Sequence, residues 1–191
     1  MPLMANRLDE ILVIDVESTC WEGAQPHDQI SEIIEVGLCT VNIATLERTE
    51  KRSILVKPIR SKVSDFCTQL TTLTAEELAQ AKTLNDALNI LRSEYYSRTR
   101  LWASWGDYDR KQFQRNCEAF GLNYPFGRGH LNVKTLYAVT MGLSRVTGLD
   151  IACKQLDLPM EGRHHRGVDD AWNIAAILCK MLKILRPGLQ S

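Results

Sequence analysis

Residues 11–19 read Ile11-Leu12-Val13-Ile14-Asp15-Val16-Glu17-Ser18-Thr19. The run from Ile11 to Val16 is short, apolar and rich in β-branched side chains, the composition of a strand covered on both faces. Asp15 interrupts it, and Glu17 falls on the same face, because successive strand side chains point to opposite sides. Two carboxylates side by side at the end of a buried strand lose hydration and repel each other. A divalent cation between them removes both penalties, and Mg2+ and Mn2+ favour such hard oxygen donors. The alternative is a strand that has already emerged into solvent, with both acids hydrated.

Outward from this run, Glu32–Val41 predicts a second strand and Ser53–Val56 a short third one, with polar residues 42–52 as the hairpin connection. Three strands on short links predict an antiparallel meander. The pattern then turns helical. Ser64–Leu70 reads as a short helix, Thr74-Ala75-Glu76-Glu77 as a capping box, and Thr83–Tyr96 as an amphipathic helix. Leu101–Trp105 is a fourth strand closed by Gly106, and Asp109–Phe120 a helix with Phe113, Cys117 and Phe120 on one stripe. Beyond the Gly/Pro-rich segment 121–129, helices are expected at Lys134–Met141, Leu149–Leu156 and Val168–Leu185. This order predicts one α/β domain over residues 1–191, with its core at about 9–186.

The hydrophobic share of 45% and charged share of 24% exclude a disordered or fibrous chain. Lys plus Arg number 23 and Asp plus Glu number 23, so the chain lacks the positive excess of a protein that coats nucleic acid non-specifically. Any nucleic-acid contact is therefore local or carried by metal. No apolar run approaches the roughly 20 residues that span a bilayer. Met1–Arg7 lacks a signal-peptide core, so a cytoplasmic chain without membrane association is expected. The six cysteines, at 20, 39, 67, 117, 153 and 179, form no C-x-x-C pair and read as free, packed thiols.

Two further constellations carry chemistry. Gly162-Arg163-His164-His165-Arg166-Gly167-Val168-Asp169-Asp170 sets two His before two Asp at the mouth of the last helix. The acids alone could merely complement the helix N-terminus, which leaves the paired His unexplained. Gly106-Asp107-Tyr108-Asp109 runs from a strand end into a helix, the usual position of ligand sites in α/β sheets and also a common turn sequence.

Acids in the first strand, one after the fourth, and a His five residues before an Asp together resemble the DEDDh 3′→5′ exonucleases, the RNase T and DNA polymerase III epsilon type. Glu32-Ile33-Ile34-Glu35, Val63-Ser64-Asp65-Phe66-Cys67, Leu70-Thr71-Thr72-Leu73-Thr74 and His165–Asp170 with Asn173-Ile174-Ala175 resemble the branch containing the histone-mRNA and enhancer-of-RNA-interference exonucleases. The resemblance implies an RNase H-like fold, a mixed central sheet flanked by helices. It implies hydrolysis of single-stranded nucleic acid at its 3′ end to nucleoside 5′-monophosphates, with RNA favoured over DNA. A DNA exonuclease of proofreading or trimming type, and a catalytically silent binding module, are the rival readings.

The same resemblance puts Asp15, Glu17 and Asp170 on two Mg2+ or Mn2+ ions, Asp109 as the fourth acid, and His165 as general base. His164 receives no catalytic role. Asp109 is taken over Asp107 because the apolar stripe that follows starts a helix at Asp109. Thr19, Trp21, Leu73, Arg163 and Arg166 are expected to touch substrate, while Trp102, Trp105 and Trp172 are expected in the core. Thr72 stands where the branch commonly has Gly. No extra RNA-binding domain is expected before the nuclease, so single-stranded RNA or DNA 3′ ends, not structured RNA, are the expected partners.

Overall fold

The apolar run at Ile11 belongs to the middle strand of a five-stranded sheet. A computed structural model describes residues 7–187; the reading of the N-terminal segment falls largely outside them. The strands are β1 (Arg7–Ser18), β2 (Ile33–Asn42), β3 (Glu47–Leu55), β4 (Arg100–Ser104) and β5 (His130–Asn132), in the order β3-β2-β1-β4-β5. The first three form the expected antiparallel meander, and β4 and β5 pair parallel, which makes the sheet mixed. The helices are α1 (Asp65–Thr71), α2 (Ala75–Ala79), α3 (Leu84–Ser93), α4 (Tyr108–Ala119), α5 (Val133–Thr140), α6 (Leu149–Gln155) and α7 (Gly167–Leu185).

Alternation along β1 explains why Ile11–Ile14 and Val16 are all apolar. Ile11 and Val13 pack into one cluster with the helices α5, α6 and α7, whereas Leu12, Ile14 and Val16 pack into another with α3 and α4. This stretch is covered on both faces, so its side chains on either face are apolar until Asp15 reaches the cavity.

Three sequence expectations need correction. β3 begins at Glu47 rather than Ser53, so the 42–52 connection shrinks to a turn after Asn42. Its Glu47-Arg48-Thr49-Glu50-Lys51-Arg52 stretch is polar because it forms a charged sheet edge, which discourages pairing with other chains. The three-residue β5 is too short to leave a periodic signal. Thr74 caps α2 by accepting from the Glu77 N–H, but the reciprocal capping box is at Thr83 and Asp86, heading α3. Thr72 ends α1 at φ 66°, a left-handed position that explains why glycine suits it. Among the described residues, no helix is long and apolar enough to cross a membrane.

The approach of α7 to the sheet depends on two glycines. A Cβ on Gly37 of β2 would lie 1.9 Å from the Gly167 carbonyl carbon, and one on Gly167 would meet the Asp15 carbonyl oxygen at 2.9 Å. Both obstacles are backbone, which cannot swing away. Gly37→Ala should therefore destabilise the protein by about 3 kcal/mol, the upper range for overpacking. A thermal melt should read this as a fall of roughly 6–12 °C; an unchanged midpoint would show that α7 does not need this contact.

Candidate active site

The close docking of α7 puts its first turn against the end of β1. Asp15 and Glu17 reach from the strand and Asp170 from the helix, and their carboxylate oxygens lie within 4.8 Å of one another. They face a cavity of about 380 Å3, whose wall also includes Asp109, His164 and His165. Burial is the first cause that pushes the Asp15 carboxyl well above its usual range, with the charges of Asp109, Asp170, Glu17 and Glu35 adding to it. Burial, then Asp170 and Glu35, raises Glu17 to about 8.

Asp109 sits beneath this group, 3% exposed, and its Oδ1 accepts the Val16 N–H at 2.9 Å. Burial raises it to about 6, against the lowering effect of that backbone donor. The bond ties the start of α4 to β1. Asp107 lies outside the cavity wall, its side chain 43% exposed and paired with Arg110 at 3.0 Å. It occupies the N-cap of α4, one residue earlier than expected, without a side-chain capping bond.

The two histidines share Asp170 between them. His164 Nδ1 is 3.0 Å from both carboxylate oxygens, and the His165 backbone N–H donates to Oδ2 at 2.9 Å. Their rings stack with centroids 4.0 Å apart. His165 adopts φ 65°, a left-handed conformation unusual for a side chain of its size. Burial and then the neighbouring His164 lower the His165 pKa, with Asp170 opposing them. The sequence reading missed the contact of His164 with Asp170, because linear spacing does not say which ring turns inward.

Several expected substrate contacts lie elsewhere. Leu73 is fully buried with Ile34, Cys67 and Leu78, so it offers no surface to a base. Thr19 is 1% exposed; its hydroxyl donates to the Ile30 carbonyl and accepts from the Glu32 N–H. The Arg166 guanidinium turns to buried Glu35, at 3.3 Å, instead of outward. Arg163 is exposed and donates to the Gln69 carbonyl at 3.3 Å, and half-buried Trp21 is absent from the cavity wall. Trp102 is core as expected, while Trp172 is only partly buried, beneath Arg48. Trp105, expected in the core, packs partly against it and also lines the cavity, as do Tyr108 and Lys134. Their one-dimensional signal is that of ordinary strand and helix residues.

The donor set fits a divalent cation. Three converging carboxylates, two of them shifted towards protonation by burial and mutual repulsion, present hard oxygens and surplus negative charge.

A mixed sheet with helices on both faces and acids gathered where its middle strand ends is the architecture of an RNase H-like exonuclease domain. The solved nuclease domain of 3'hExo, a DEDDh family member, bound to rAMP, superimposes with a TM-score of 0.84 at 31% identity, covering 97% of this chain and 96% of that one. The chain belongs to the exonuclease family (RNase_T), whose model matches residues 12–178. It is 32% identical over 186 residues to human 3'-5' exoribonuclease 1, covering 92% of this chain and 53% of that protein. It is 30% identical over 189 residues to ERI1 exoribonuclease 3 of Mus musculus, covering 93% and 55%. The chain spans about half the length of these mammalian relatives.

Asp15→Asn should leave the protein folded, because it removes a charge that its neighbours repel. In a metal-free thermal melt its midpoint should equal or exceed that of the wild type. Added Mg2+ should raise the wild-type midpoint, as a ligand that binds only the folded state must, and should leave that of the variant nearly still. A large metal-free drop would make Asp15 a structural residue.

Proposed function

We propose that the protein is a Mg2+- or Mn2+-dependent 3′→5′ exonuclease that removes nucleoside 5′-monophosphates from single-stranded nucleic acid, with RNA preferred to DNA. The observation that carries this reading is the convergence of Asp15, Glu17 and Asp170 in one cavity, with Asp109 beneath and His165 on the wall. In this reading Asp15, Glu17 and Asp170 would hold two cations. Bound there, divalent ions would activate a water, hold the scissile phosphate and stabilise the leaving 3′ oxygen.

The remaining steps belong to the chain. His165 takes the proton of the attacking water, a task suited to an imidazole that is neutral at neutral pH. Asp109 fixes the end of β1 through the Val16 N–H and keeps a fourth negative charge below the site. Arg166 holds Glu35, which also accepts the Gly167 N–H at 3.0 Å and so anchors the entry of α7. The names of the human and mouse relatives support RNA as substrate. Six unpaired cysteines support a reducing, cytoplasmic location, and the match over residues 12–178 supports one exonuclease domain.

End-labelled RNA and DNA oligonucleotides with free or blocked 3′ ends test the proposal. Expected are mononucleotide products from free RNA 3′ ends, slower loss of DNA, and no products with EDTA. EDTA-resistant hydrolysis or internal cleavage would overturn it. At saturating Mg2+, Asp109→Asn should abolish turnover and Asp107→Asn should retain it; the reverse would reassign the fourth acid.

His165→Ala should lower turnover by roughly 100- to 10,000-fold, the range for a lost general base. His164→Ala should stay within about tenfold of wild type, since its ring contacts a ligand carboxylate instead of water in this reading. Equal losses in both would mean that the stacked pair acts as one unit.

A further inference from the structure

Tyr108 and Asp109 line the carboxylate cavity, while the next residue of α4, Arg110, lines a separate cavity of about 420 Å3. Arg98, in the turn before β4, and Arg128, in the connection to β5, complete a cationic wall of three arginines beside His130, whose imidazole burial and then Arg110 hold below its usual pKa. Among the described residues no acidic side chain lines it. One carboxylate touches its margin: Asp107 Oδ1 is 3.0 Å from Arg110 and 3.9 Å from His130 Nδ1. Arg98 and Arg128 are exposed and form no ion pair among the described residues. In a chain of formal net charge 0, this is a local surplus of positive charge.

Two donors at this cavity also lack acceptors. Trp102 is fully buried and lines the cavity, and its Nε1–H has no partner among the described residues; the same holds for the Arg110 Nε–H. Buried donors almost always find a partner, but neither atom has surface open to solvent, so the exposed guanidinium groups of Arg98 and Arg128 are the donors an incoming anion meets.

The wall is rigid enough to present these groups together. Gly127 N–H donates to the Ser97 carbonyl at 3.2 Å, and Ser97 Oγ donates to the Pro125 carbonyl at 2.7 Å. A Cβ on Gly127 would lie 2.5 Å from the Arg98 carbonyl oxygen, so the loop carrying Arg128 rests directly on the turn carrying Arg98. Phe126 stacks on Trp102 at 4.1 Å.

We propose that this cavity is a second anion site, outside the carboxylate cleft, that takes the phosphate group of a nucleotide or of an oligonucleotide strand. Guanidinium forks match phosphate oxygens in geometry as well as charge. Because Arg110 follows directly on Asp109, a strand held here lies alongside the end of α4 that borders the cleft.

Binding is tested on the full chain in EDTA, where the cleft carries only repelling carboxylates and no turnover occurs. The result is thus independent of whether the cleft hydrolyses anything. Anisotropy of a labelled single-stranded RNA oligonucleotide, titrated over several salt concentrations, is compared between wild type, the double variant R98A/R128A, and Lys180→Ala on α7 as a charge control. The double variant should bind roughly tenfold more weakly, with its salt slope reduced by about 1.4 for two lost phosphate contacts. Lys180→Ala should match wild type.

Inorganic phosphate and AMP, titrated calorimetrically, separate the two sources. Heat lost in R98A/R128A identifies free phosphate as an occupant, and oligonucleotide binding without it identifies the strand backbone. Arg128→Glu, a single exposed change, gives the same reading if the double variant melts early. Unchanged affinity and slope in both variants, or an equal loss in Lys180→Ala, would overturn the proposal.

Discussion

Carboxylates held within 4.8 Å of one another at the end of a buried strand set the terms for the rest of the molecule. Their mutual repulsion and lost hydration oppose folding, and the surrounding elements have to hold them together regardless. The structure does so through the backbone. Gly37 and Gly167 let α7 approach β1 and β2 closely enough to bring Asp170 to Asp15, and the Val16 N–H pins Asp109 from below. The first turn of α7 is anchored by the Gly167 N–H, which donates to Glu35 at 3.0 Å, and the His165 N–H just before it donates to Asp170 at 2.9 Å.

The other buried acids show the contrast. Glu35 is fully buried, but it accepts from Ser53, Arg166 and the Gly167 N–H. Glu32, 3% exposed, accepts backbone N–H groups from Ile59, Arg60 and Ser61. Each has its charge answered inside the protein, as buried charges require. Asp15 and Glu17 face an open cavity with no such partners among the described residues, and this difference separates them from acids that build the fold.

A formal charge of zero hides an uneven surface. Negative charge collects in the cleft, and arginines collect at the turn before β4, on α4 and in the connection to β5. Summed charge excludes a generally sticky polycation, but it says nothing about such patches, because Arg98, Arg110 and Arg128 are distant in sequence and meet only in the fold.

The sequence by itself determined the elements whose signal is local. The doubly buried β1, the meander, the amphipathic α3 and α7, and the acids at 15 and 17 follow from side-chain periodicity and from charge where none belongs, whereas Asp109 and Asp170 were singled out through the family resemblance. A charged edge strand and a three-residue β5 escaped because neither has an apolar face to repeat. Only the tertiary structure decided which groups share the cavity. It turned the His164 ring to Asp170, committed Arg166 to Glu35, buried Thr19 and Leu73, and opened Trp105 to the cleft. Those outcomes depend on how closely α7 docks against the sheet, and that distance is set by the missing Cβ atoms of Gly37 and Gly167, 130 positions apart in the chain.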